Sequence, residues 1–171
     1  MSISASQVKE LREMSGVGMM ECKKALVETN GDLQQALDLL RANSSLKAEK
    51  KASRVAADGA VKVAETSSYV SLVEINSETD FAAKDSQFKD FISSVADYLA
   101  ITYIDSIDDL NEVFDSQRQT LIQSIGENIQ LRRLSTFNVP DGGSIGSYIH
   151  SDGRLAAVSY THLTLPTILL V

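Results

Sequence analysis

The chain has 171 residues and a mass of 18.6 kDa, with 43% hydrophobic and 23% charged residues; this globular balance excludes wholesale disorder and fibrous classes and leaves room for one good core or two small ones. The net charge of −7 is uneven, because residues 1–60 carry nine basic and eight acidic side chains and the remainder seven basic and fifteen acidic, which argues against phosphate backbones and anionic membranes and for a protein partner. One cysteine, Cys22, and two histidines, His150 and His162, rule out a disulfide and leave too few ligands for an ordinary zinc site.

The first forty-odd residues read as three short helices. "ASQVKELREMSG" takes Ser6 as N-cap and ends at Gly16, whose missing Cβ suits a left-handed C-terminal position. "MMECKKALVETNG" stops at Asn30-Gly31, and Asp32 caps "LQQALDLLRAN", where Leu33, Ala36, Leu37 and Leu40 form one helical face. The basic, alanine-rich "SSLKAEKKASRVAADG" continues as a helical linker closing at Gly59, with few large apolar residues to bury. "YVSLVEIN" is a strand that sets Val70, Leu72 and Glu74 against Ser71, Val73 and Ile75.

Phe88, Phe91, Ile92, Val95 and Leu99 then mark a helix beginning near Asp85 or Ser86. "SIDDLNEVFDSQRQTLIQSIG" is a second helix, capped by Ser106, with a face of Leu110, Val113, Phe114, Leu121 and Ile125 and an end at Gly126. Strands resume with "NIQLRRLSTFNV", and "GSYIH" and "RLAAV" flank Ser151-Asp152-Gly153 as a hairpin. The fold class is therefore α+β: a three-helix module, a helical linker, then an antiparallel sheet with two packed helices.

The chemistry of an enzyme is missing. His150 falls on a hairpin and His162 in an uncharged C-terminal stretch, so no nucleophile has a believable base. Cys22 inside a helix reads as a small buried hydrophobe. "GVGM" follows a helix rather than a strand and lacks a third glycine, and no phosphate-binding loop of the G-x-x-x-x-G-K-[ST] kind occurs. No cofactor and no metal are expected. No apolar run approaches ~18 residues and the N-terminus lacks a basic-then-apolar signal, which reads as cytoplasmic.

Two stretches remain as binding devices. Met19 and Met20 are adjacent, about 100° apart on a helix, so one of them should be exposed; with Leu11 and Lys23 they make an adaptable patch, unless both methionines belong to the module's core. In "NSETDFAAKD", Ser77 and Asp80 have capping-box spacing, starting a helical turn at Phe81. Taken alone, an aromatic there is a core residue.

The stretches "VKELREMSGVGMMECKKAL", "NGDLQQAL", "KKASRVAADG", "VEINSETDFAAKD", "IGENIQLRR" and "GSYIHSDGRLAAV", in this order, resemble bacterial elongation factor Ts over residues 3 to about 158. The resemblance implies a guanine nucleotide exchange factor for elongation factor Tu, the GTPase that carries aminoacyl-tRNA to the ribosome, with no bond chemistry of its own. It implies an N-terminal module similar to ubiquitin-associated domains that docks on the partner's GTPase domain through Met19, Met20 and Lys23, with Leu11 a weaker addition. The "TDFAAKD" segment is similar to the family element that displaces magnesium from the partner's nucleotide site, which assigns that role to Thr79, Asp80, Phe81 and Ala82, foremost Asp80 and Phe81. Direct contact with nucleic acid or membrane is not implied.

The resemblance also divides the chain into the module at 1–44, the linker at 45–59, a core N-subdomain at 60–140, the start of a C-subdomain at 141–158 and a tail at 159–171. Family members continue well beyond this length, many with a helical dimerisation element. "SYTHLTLPTILLV" resembles a foreign tail on a truncated gene fragment and is expected to be non-native. Without the resemblance, the same elements read as a non-catalytic interaction adaptor.

Overall fold

The computed structural model describes residues 3–162. Helices α1 (Ala5–Ser15), α2 (Met19–Glu28) and α3 (Leu33–Lys51) come first, followed by strands β1 (Asp58–Glu65) and β2 (Tyr69–Ser77). Helices α4 (Asp80–Lys84), α5 (Ser86–Ile101) and α6 (Ile107–Ile125) then lead to β3 (Gln130–Asn138), β4 (Gly143–Ile149) and β5 (Ala156–His162). The class is α+β: β1-β2-β3 form an antiparallel sheet and β4-β5 a separate antiparallel hairpin. Of the tail expected at 159–171, residues 159–162 complete β5 and the rest lies outside the described residues.

Two clusters of buried side chains hold the fold. Val8, Leu11, Val17, Cys22, Leu26, Ala36, Leu37 and Leu40 close the three-helix unit. The larger cluster lies between one sheet face, through Val73, Ile75 and Leu131, and the stripe Phe88, Phe91, Ile92, Val95 and Leu99 of α5 together with Leu110, Phe114, Leu121 and Ile122 of α6. Phe114 packs edge-on against Phe91 and Tyr98 at centroid distances of 6.0 and 5.5 Å, the arrangement that ring quadrupoles favour. On α6, Leu110, Phe114 and Leu121 are buried as expected and Ile125 packs partly buried beside them; Ile122 joins the core as well, while Val113, expected on the core face, is exposed.

Three local expectations are corrected. The N-cap of α1 is Ser4 rather than Ser6: its hydroxyl accepts from the Gln7 amide at 3.3 Å while the Gln7 side chain accepts from the Ser4 amide, a full capping box. The helical linker does not run to Gly59. Helix α3 is one continuous element ending at Lys51, and its last turns pack on α6, with Ser44 and Ala48 buried, so small residues bury surface where large ones were absent. Gly59 is the second residue of β1, a strand absent from the sequence reading. There it has φ +138° and its Cα passes the neighbouring strand so closely that a Cβ would lie 2.2 Å from the Ile75 carbonyl oxygen. Glycine is required by that approach rather than by a helix end.

Candidate functional site

The turn from β2 into α4 leaves the sheet at Ser77, which is fully buried and still in register with Asp58 of β1. Its hydroxyl donates to the Thr79 carbonyl at 2.9 Å, so it is not free to cap a helix. The cap is Thr79. Its backbone is extended (φ −129°, ψ 160°) and its hydroxyl oxygen accepts from the Ala82 amide at 3.3 Å, which corrects the Ser77–Asp80 capping box. Helix α4 has only five residues, too few to hold itself by internal hydrogen bonds.

Its order comes from the loop after α6. The two carboxylate oxygens of Glu127 accept from the Thr79 amide (3.0 Å) and the Thr79 hydroxyl (2.7 Å). In the opposite sense, Glu78 accepts from the Asn128 amide at 2.6 Å and pairs with the Arg54 guanidinium at 3.5 Å. Asn128, almost wholly buried, donates its side-chain amide to the Arg54 carbonyl at 2.8 Å. Two segments 48 residues apart are thus tied by carboxylates reaching both ways.

On this base, Ala82 and Ala83 face inward, Ala82 only 4% exposed and Ala83 packed on the main cluster. Phe81 points the other way and is 80% exposed, which overturns the bare expectation that the ring is a core residue. Beside it, Lys84 donates to Asp80 at 2.7 Å along the helix, and this bond chiefly holds the Asp80 carboxyl below its ordinary value of 3.8. An open cleft of about 620 Å³ adjoins the corner, with Lys62, Lys89 and Arg154 among its walls and Asp80 and Asp152 among them as well, so it is mixed in sign. Among the described residues, no three His, Cys, Asp or Glu side chains gather to hold a metal ion, and no helix is long and apolar enough to cross a membrane.

The other predicted residues lie on the three-helix unit. Met19 and Met20, in the first turn of α2, are 50% and 69% exposed, and Lys23 one turn on is also exposed. Both methionines therefore lie outside the core. Leu11 does not join them: it has no exposed surface and sits at the centre of the unit, so it supports the patch without being able to touch a partner. Cys22 is likewise buried, beside Ser15 and the Val17 carbonyl. Sequence reasoning missed Glu78, Glu127 and Asn128. The only signal for the last two was their place in "IGEN", directly after the glycine that ends α6 with φ +88°.

Comparison with known proteins gives consistent results. The family model described as Elongation factor TS matches residues 78–165, more than half of the chain, starting at Glu78 of the corner. The protein named Elongation factor Ts from Teredinibacter turnerae is 52% identical over 161 residues, covering 92% of this chain and 55% of its own. Those from Saccharophagus degradans and Hahella chejuensis are 50% and 47% identical, over 93% and 92% of this chain and 56% and 55% of theirs. The chain spans about half the length of the curated relatives it matches.

Proposed function

Because the chain belongs to the elongation factor Ts family, we propose that it is a translation elongation factor that binds elongation factor Tu and promotes release of GDP from it. The observation that carries this reading is Phe81, a large apolar ring 80% exposed on a five-residue helix whose base is fixed from outside. A ring held in one direction arrives at a partner with its ordering already done. Anchors of this type supply ~2 kcal/mol or more when they fill a pocket.

The mechanism is displacement. Phe81 enters an apolar cleft of the partner's GTPase domain and moves walls that carry the groups organising magnesium and the β-phosphate. GDP then loses stabilisation and leaves faster. Asp80, its carboxyl held below its ordinary value chiefly by the Lys84 bond, adds negative charge next to the ring and orients the corner; Thr79 and Ala82 are its frame, one as cap and one as the buried foot. No proton or group is transferred. Residues 1–44 form the ubiquitin-associated-like docking module, and Met19, Met20 and Lys23 give the first, adaptable contact on the same partner domain. By linkage, a factor that weakens nucleotide binding is itself weakened by nucleotide, so GTP entry expels it and completes the cycle. The site of action is the cytoplasm, where translation runs.

The test is stopped-flow release of a fluorescent GDP from elongation factor Tu. Added protein should raise the release rate in a saturable way. An adaptor that binds without altering its partner would leave the rate at its unassisted value, which would refute exchange.

A further inference from the structure

We infer that Glu127 is a positioning residue for the Phe81 corner, an inference that rests on the function proposed above. One carboxylate does two things to one residue. Through one oxygen it fixes the backbone amide of Thr79 at 3.0 Å, and through the other it accepts a hydrogen bond from the Thr79 hydroxyl at 2.7 Å. A hydroxyl has a single proton, so once that proton points at Glu127 the lone pairs of Thr79 are left for the Ala82 amide, 3.3 Å away. The cap of α4 is therefore oriented by a residue on another element. Glu127 is itself aimed by the left-handed Gly126 that ends α6, and the Asn128–Glu78 bond of 2.6 Å stops the two segments from sliding.

Without Glu127 the Thr79 hydroxyl can rotate and its amide returns to water, and five residues cannot maintain a helical turn alone. The ring of Phe81 then samples many directions. A partner that accepts only one of them sees a concentration of competent protein reduced to the fraction still folded at the corner, and the apparent affinity falls by that fraction. Once bound, however, the ring fills the same pocket. The signature of Glu127 is thus a weaker half-saturation with an unchanged maximal release rate, unlike loss of the ring itself.

The experiment compares the whole chain with its Glu127→Ala and Glu127→Gln variants by amide hydrogen exchange and by GDP release from elongation factor Tu. In Glu127→Ala, exchange of the Thr79, Ala82 and Ala83 amides should speed up about tenfold while Val95 and Leu99 in α5 stay as protected as before. The concentration of factor for half-maximal release should rise about tenfold with the maximal rate retained. Glu127→Gln keeps one acceptor oxygen and should fall between the two. Unchanged protection at Thr79, Ala82 and Ala83 would overturn the inference, as would an equal loss throughout α5, which marks general destabilisation. A lower maximal rate at unaltered half-saturation would also overturn it, since Glu127 would then act within the complex. Should the wild-type chain fail to speed GDP release, the exchange reading falls, and the amide pattern alone still decides whether Glu127 holds the corner.

Discussion

The methionines of α2 and the phenylalanine of α4 expose apolar surface to similar degrees, 50% and 69% against 80%, by opposite physical means. Met19 and Met20 rest on a regular helix over a packed core, and their flexible, unbranched side chains can fit many shapes. Phe81 has a stiff side chain on an element too short to exist alone, whose cap, Thr79, donates two hydrogen bonds to Glu127. A compliant surface contributes affinity without exerting directed force. A stiff one transmits displacement, because a packed pocket must move around a ring that cannot. The pairing suits a protein that must first hold its partner and then alter it.

The most severe way to break the comparison is Leu11→Ala, which empties the centre of the three-helix unit and should cost ~3 kcal/mol or more. If the two surfaces rest on separate cores, amide protection should fall in α1 and α2 and persist in β2 and α5, read by hydrogen exchange. Equal loss at the corner would mean that the surfaces share one cooperative unit. Next in size, the double variant Met19→Ala, Met20→Ala should raise the half-saturating concentration for GDP release several-fold, ~1 kcal/mol, with its maximal rate kept. A drop in maximal rate instead would give the methionines a share in displacement.

These expectations depend on features of uneven legibility. The helical stripes were plain because each repeats within its own segment: Phe88 through Leu99 are all buried as spaced, and the Asp32 and Ser106 caps bond the amides of Gln35 and Asp109. Strand β1 was hidden because "GAVKVAE" shows weak alternation and its burial is intermediate along most of its length. The true cap at Thr79 and its hold by Glu127 were out of reach, since no periodicity links residues 48 apart. Exposure of Phe81 was legible only through family resemblance, because residue type alone points inward.

A smaller effect lies between the two units, where Glu21 of α2 accepts from Lys47 of α3 and from Gln123 of α6. Burial acts to raise the Glu21 carboxyl, but the Lys47 and Gln123 bonds outweigh it and the net direction is down from 4.5. A depressed carboxyl stabilises the fold above its ordinary value and loses that contribution as pH falls below 4.5 through the folded value. Because the pair is more than a third exposed, Glu21→Gln should cost under ~1 kcal/mol near neutrality and nothing in acid, measured by denaturation at several pH values. The smallest expected effect is at Asp80: its carboxyl should titrate below 3.8 by NMR and return toward that value in Lys84→Ala, without a change in fold. An Asp80 titration unaffected by Lys84→Ala would remove the lysine as the cause.

The most direct test of the account is the maximal rate of GDP release from elongation factor Tu with saturating Phe81→Ala, beside wild type. A side chain this exposed can be cut back without loss of stability, so thermal unfolding should coincide for the two proteins. The account predicts that the variant still binds through its methionine patch while release slows at least tenfold at saturation. Release at the wild-type rate by a folded Phe81→Ala protein would contradict it.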